Sequence, residues 1–214
     1  MIKAVIFDFW GTLMEIGVFP SPVRQVKFIL RLREMPFQDY IVAFEKAFML
    51  KKFENLKEGF EAVCKELNTE APDFVIDKLV GMWNKNTLLA KPFLDTISTL
   101  ETLKKKGIKV ALIANSDCFS IDPLLEKFDL RKYFDAVWLS YETGSLKSDS
   151  DAFKTLLRKL KVKKSEALVV GDSLESDIKG AENAGIKSIL LDRRNRLEYE
   201  NKILSLKELE TKLK

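Results

Sequence analysis

The chain has 214 residues, of which 46% are hydrophobic and 32% charged, with a formal net charge of +4. That length and apolar content suit one well-buried core with room for a second small domain, and they exclude a disordered chain. The positive charge comes from lysines spread along the sequence, with no basic block interleaved with aromatics, so nucleic acid is not an expected partner.

There is no histidine. Every mechanism that needs an imidazole base or a histidine metal site is therefore removed, a Ser-His-Asp triad included. The two cysteines, Cys64 and Cys118, lie in different settings without metal-ligand spacing. They imply a reduced, cytoplasmic protein. No apolar run approaches the ~20 residues that span a bilayer, and the short apolar start reads as a strand rather than a signal peptide. The cluster Arg193-Arg194-Asn195-Arg196 reads as a solvated loop. Abundant Lys and Glu with only two glutamines, Gln25 and Gln38, point to a thermophilic source.

The first element is the apolar run Ala4 to Phe7, a strand buried on both faces, which ends on Asp8 and a Gly11-Thr12 turn. An acid at the carboxyl end of a central parallel strand stands where open α/β sheets bind ligands. Four helical patterns follow. Ser21-Pro22 reads as an N-cap and first helical residue, and Pro36 opens a second helix with Tyr40, Phe44 and Phe48 on its apolar face. Asn55 with Glu58 resembles a capping box, and Pro72 starts a helix carrying Leu79 and Trp83. Arg24, Arg31 and Arg33 are candidate anion contacts from this helical stretch.

From Pro92 the rhythm is α then β. A helix through Leu94, Ile97, Leu100 and Leu103 stops at Gly107, and strand Lys109 to Ile113 leads into the turn Asn115-Ser116-Asp117. Strand Asp135 to Leu139 precedes the loop Gly144-Ser145-Leu146-Lys147. Strand Ala167 to Val170 runs into Gly171-Asp172 and on to Asp177. Strand Ser188 to Leu191, a short edge strand and a closing helix end the chain. The prediction is a three-layer, Rossmann-like α/β core with a parallel sheet of about five strands, covering 1–14 and 92–214, and an inserted all-helical domain over 15–91.

Candidate chemistry thus gathers at four strand ends: Asp8, Asn115-Ser116-Asp117, Lys147, and the pair Asp172 and Asp177. The set Asp8-Phe9-Trp10-Gly11-Thr12-Leu13, Ile113-Ala114-Asn115-Ser116, Gly144-Ser145-Leu146-Lys147 and Gly171-Asp172 through Asp177 resembles the haloacid dehalogenase (HAD) superfamily. The helical insertion sits where that family's C1 cap sits. The resemblance implies that Asp8 is a covalent nucleophile, and that Lys147 holds Asp8 ionised and neutralises charge on the bound group. Asp177 would brace Lys147 or a metal-bound water. Asp8, Asp172 and the Trp10 backbone carbonyl would hold Mg²⁺. Phe9, Trp10, Asn115 and Ser116 would meet the substrate, a small molecule, in a monomer or homodimer.

Two positions depart from the phosphatase pattern. Family phosphatases carry an acid–base Asp two residues after the nucleophile, where this chain has Trp10, and a Ser or Thr where it has Ala114. An indole transfers no proton in that role, so a slow phosphatase, or one limited to good leaving groups, is expected. Trp10, Ala114 and Asn115 also suit a metal-independent 2-haloacid dehalogenase, in which Asn cradles the halide. Asp172 speaks against that branch, because three carboxylates against one lysine leave an excess charge that a divalent cation removes. A binding protein that has lost turnover is the third reading.

Overall fold

The opening apolar run forms strand β1, Ala4–Phe7, and all four residues are buried. A computed structural model describes residues 1–213; Lys214, the last residue of the expected core, lies outside the described residues. Next come β2 (Met14–Glu15), helices α1 (Pro22–Ile29), α2 (Phe37–Phe48), α3 (Leu56–Glu66) and α4 (Asp73–Leu89), then β3 (Lys91–Pro92). The rest of the chain alternates: α5 (Thr96–Lys105), β4 (Lys109–Ala114), α6 (Ile121–Lys127), β5 (Ala136–Leu139), α7 (Ser140–Thr143), α8 (Ser150–Leu160) and β6 (Ala167–Gly171). After a π-helical turn, Leu174–Ile178, come α9 (Lys179–Ala184), β7 (Lys187–Leu191), β8 (Lys202–Ile203) and the 3₁₀ segment Leu206–Lys212.

Among the described residues six strands form one parallel sheet in the order β5-β4-β1-β6-β7-β8. The sixth, β8, is the two-residue edge strand of the sequence reading. Period-2 alternation explains why the central strands are apolar throughout. Val5 and Phe7 of β1, Val110 and Leu112 of β4, and Leu168 and Val170 of β6 face one core, with Leu100 and Leu103 of α5 and Leu124 of α6. Ala4, Ile6, Ala111, Ile113, Ala167 and Val169 face the other, under Phe153 and Leu156 of α8. Helices therefore cover both faces, as the Rossmann-like prediction requires.

Helices α1–α4 pack around a third apolar cluster of their own. Phe44, Phe48, Phe60 and Trp83 meet there with ring centroids 4.9–5.9 Å apart. Each fully buried ring contributes roughly 2 kcal/mol by burial. Asn55 caps α3 by accepting the Glu58 N–H at 3.0 Å, while the Glu58 carboxylate accepts from Glu54 N–H rather than from Asn55. The two short strands β2 and β3 pair antiparallel and tie both ends of this helical stretch together, and Gly17 N–H donates to Asn86 Oδ1 beside them.

Two readings of the sequence change here. Leu94 is fully exposed and Ile97 is 40% exposed, because α5 begins at Thr96 and turns Thr96, Thr99, Leu100 and Leu103 inward. Arg193 is not part of a solvated loop. Its side chain is 17% exposed and pairs with Asp95, whereas Arg194 and Arg196 do face solvent.

Candidate active site

β1 sits between β4 and β6, where the strand order turns outward in both directions, and open α/β sheets place ligands outside the carboxyl ends at such a point. Asp8 follows β1 there and is buried. Its Oδ1 lies 2.6 Å from Lys147 Nζ, and its Oδ2 accepts the Thr12 hydroxyl at 3.0 Å. Lys147 Nζ also lies 2.8 Å from Asp177 Oδ1, and Asp177 Oδ2 accepts the Ser173 N–H at 3.0 Å. The ammonium is thus clasped between two carboxylates.

Burial alone would push the Lys147 ammonium toward neutrality, but Asp177 and Asp8 outweigh it and raise its pKa. Burial lifts Asp177 to about 6, with Lys147 opposing the rise and Asp8 adding to it. Asp172 is open to the cavity yet surrounded by protein atoms. This loss of water, and then the charges of Asp8 and Asp177, hold its pKa well above the carboxylate range. One carboxylate oxygen from each of Asp8, Asp172 and Asp177 lies within 4.8 Å of the others. An all-oxygen set with excess negative charge suits a hard divalent cation.

Two glycines make room for these acids. A Cβ on Gly11, whose φ is +81°, would stand 2.1 Å from Asp172 Oδ2. One on Gly171 would stand 2.3 Å from Asp177 Cγ. No side chain larger than hydrogen fits either place.

Asn115 bridges the floor to the helices above. Its Oδ1 accepts the Lys147 N–H at 2.8 Å, and its Nδ2 donates to Glu45 Oε2 of α2 at 3.1 Å. Ser116 is buried; its N–H donates to Ser140 Oγ, and its own hydroxyl donates to the Asp117 carbonyl. Asp117 accepts from the Trp83 indole, the Ser120 hydroxyl and Phe119 N–H, and burial raises its pKa. A cavity of about 560 Å³ is lined at its floor by Asp8, Trp10, Asn115, Ser116, Lys147 and Asp172, and above by α1, α2 and α4. Its upper wall is largely apolar, with Val23, Phe37, Ile41, Met49 and Trp83.

The predicted site residues mostly converge. Asp8, Lys147 and Asp177 are in contact, Asp172 stands beside them, and Trp10, Asn115 and Ser116 line the same cavity. The Phe9 ring does not line it; it is fully buried in the core under the sheet, which leaves only its backbone near the site. Arg24 stacks on Phe37 at 4.2 Å instead of entering the cavity, and Arg31 and Arg33 do not line it. Cys118 Sγ accepts the Phe53 N–H at 3.4 Å.

Sequence reasoning missed Thr12 and Glu45. Thr12 stood in the quoted motif without a role. Glu45 carried a faint signal: it shares one face of α2 with Ile41 and Met49 at i−4 and i+4, a charge in an otherwise apolar stripe.

This sheet, with its acids at the strand ends, is the arrangement of the haloacid dehalogenase-like hydrolases. The model of that family matches residues 2–185, and the chain belongs to it. A glyceraldehyde 3-phosphate phosphatase from Methanothermobacter thermautotrophicus is 28% identical over 195 residues, 90% of this chain and 86% of that protein. A HAD-hydrolase from Bacillus subtilis bound to magnesium shares the fold with a TM-score of 0.68 at 18% identity, over 99% of this chain and 98% of that one. So does a 2-haloacid dehalogenase from Pseudomonas syringae, with a TM-score of 0.63 at 22% identity, over 99% and 97%. Among the described residues no helix is long and apolar enough to cross a membrane.

Proposed function

We propose that this hydrolase is a Mg²⁺-dependent phosphatase of a small phosphorylated metabolite, with Asp8 as the attacking carboxylate. The observation that carries the reading is the crowding of Asp8, Asp172 and Asp177 against the single ammonium of Lys147. Carboxylates so close must protonate or be neutralised. Asp8, Asp172 and the Trp10 backbone carbonyl would hold the ion, which would supply positive charge to the transferred group. The phosphatase from Methanothermobacter and the magnesium-bound hydrolase from Bacillus subtilis lend support.

Asp8 attacks phosphorus, the bond to the leaving oxygen breaks, and an aspartyl phosphate forms that water then hydrolyses. Lys147 orients the Asp8 carboxylate and offsets charge on the transferred group, while Asp177 keeps the ammonium in place. Thr12 fixes the second Asp8 oxygen. Residues 15–91 act as a cap over a core of 1–14 and 92–214, hinged near Gly17 and Pro92, and exclude water on closing. The separate apolar cluster of α1–α4 and the β2–β3 pair at its base support that division. Two free cysteines support a reduced, cytoplasmic setting.

The dehalogenase reading has Trp10 and Asn115 in its favour. Against it, the Asn115 amide already serves Lys147 and Glu45, and Asp172 would stay uncompensated without a cation. An assay on p-nitrophenyl phosphate and on 2-chloropropionate, each with Mg²⁺ and with chelator, decides the matter. Phosphate release abolished by chelator is the expected result. Metal-indifferent halide release would overturn the proposal, and silence on both substrates would favour the binding protein.

A further inference from the structure

The side chain at position 10 cannot move a proton, and the chain has no histidine. The leaving oxygen of a phosphate ester still needs one. On the cavity floor, Asp8, Lys147 and Asp172 already serve bond formation, charge pairing and cation binding. Asp117 is saturated by Trp83, Ser120 and Phe119. Asp149 accepts the Leu146 N–H, and Glu175 pairs with Lys179 in solvent.

Glu45 is different. It descends from α2 into the cavity and is held by one oxygen, Oε2, at 3.1 Å from Asn115 Nδ2. Asn115 in turn accepts the backbone N–H of Lys147, whose ammonium touches Asp8. Glu45 Oε1 has no hydrogen-bond partner among the described residues. Burial raises the Glu45 pKa, with Lys147 and Asn115 opposing and Asp8 adding to the rise. A carboxyl so shifted holds its proton closer to neutral pH, where general acids work best.

We propose that Glu45 is the proton donor and acceptor of the reaction, a duty that Trp10 cannot perform. This rests on the phosphatase reading above. As the bond from phosphorus to the leaving oxygen breaks, the Glu45 carboxyl gives its proton to that oxygen, releasing an alcohol. The carboxylate then takes a proton from the water that attacks the aspartyl phosphate. Phosphate leaves, and both Asp8 and Glu45 return to their starting states.

The test compares an alkyl phosphate, whose leaving group needs a proton, with p-nitrophenyl phosphate, whose leaving group does not. Wild-type kcat/KM for the two should agree within about 100-fold, the acid's usual contribution being ~10²–10⁴. Glu45→Gln keeps an acceptor for the Asn115 amide. It should lose about 100-fold or more on the alkyl phosphate. On p-nitrophenyl phosphate it should release one phenolate per enzyme in a burst and then turn over slowly, because the second step lacks its base. A loss below tenfold on the alkyl ester, or equal losses without a burst, overturns the role of Glu45 alone. So does a wild type that hydrolyses only the aryl ester, a measurement that needs no variant. Wild-type silence on both esters overturns the phosphatase reading and this inference with it.

Discussion

Arg193 and Asp95, 98 positions apart in the chain, form a two-pronged ion pair, with the guanidinium donating to both carboxylate oxygens at 2.9 and 3.0 Å. The same guanidinium donates to the Thr12 carbonyl at 2.8 Å and lies 3.7 Å from the Phe93 ring centroid. Asp95 also accepts the Ser205 hydroxyl and the Leu206 N–H. One pair thus joins the loop behind Asp8, the start of α5 and the end of the chain.

Arg193→Ala leaves a buried carboxylate without its cation, and removing one partner of such a pair costs about 3 kcal/mol. For a chain of this size that lowers the melting temperature by roughly 9 °C. Thermal unfolding followed by circular dichroism measures it. A shift under 2 °C would show that Ser205 and Leu206 hold Asp95 unaided.

The same pair gives stability a pH dependence of known sign. Burial works to raise the Asp95 pKa, but Arg193, Ser205 and Leu206 outweigh it and hold the carboxyl below its ordinary value. A depressed folded pKa contributes stability that is fully present above the unfolded value of about 3.9 and is lost as pH falls toward the folded one. Asp95→Asn should therefore be less stable than wild type at pH 7, with the gap shrinking as pH drops below about 4. Urea unfolding at both pH values provides the comparison, and a gap that widens in acid contradicts the assignment.

Gly11→Ala tests the space under Asp172. The new methyl would meet Asp172 Oδ2 at 2.1 Å, and φ of +81° adds strain for any side chain, on the order of 1–2 kcal/mol. Displacing that carboxylate should lower phosphatase kcat/KM by about 100-fold, since a 1 Å misplacement is enough for that. Wild-type turnover in this variant would mean that Asp172 does not need its present position.

Mg²⁺ should stabilise the folded chain. At 100 times its dissociation constant a ligand specific to the folded state adds about 2.7 kcal/mol, or roughly 8 °C in melting temperature. Asp172→Asn should abolish most of this shift while leaving the protein folded. Equal shifts in variant and wild type would place the ion elsewhere.

Asp8→Asn should remove turnover altogether, because no other group on the cavity floor is placed to form the covalent intermediate. Single-turnover phosphate release measures it, and residual activity above about one per cent of wild type counts against Asp8 as nucleophile.

Much of this was legible before folding was considered. The strand ends carrying Asp8, Lys147, Asp172 and Asp177 were readable because each follows an apolar run or a turn whose local pattern is strong. Thr12, Glu45 and the pairing of Arg193 were not. Glu45 and Arg193 matter through partners 70 to 181 positions away, and a charged residue in a loop or on a helix looks the same whether it meets solvent or a polar partner. Thr12 meets Asp8 only four positions off, but a hydroxyl in a turn carries no local mark of which atom it faces. Leu94 failed for the opposite reason: its spacing fits a helix, but Asp95 is engaged by Arg193, Ser205 and Leu206, and α5 starts one residue beyond it.

The sequence by itself determined the alternation of strands and helices, the placing of acids at strand ends and the absence of imidazole chemistry, because period and residue type are local properties. Only the tertiary structure decided which acids share one lysine, which helix lowers a carboxyl into the cavity and which arginine pairs with a buried acid. Those are outcomes of distances between segments far apart in the chain, and Coulomb and hydrogen-bond energies depend on distance and on the water excluded along the way.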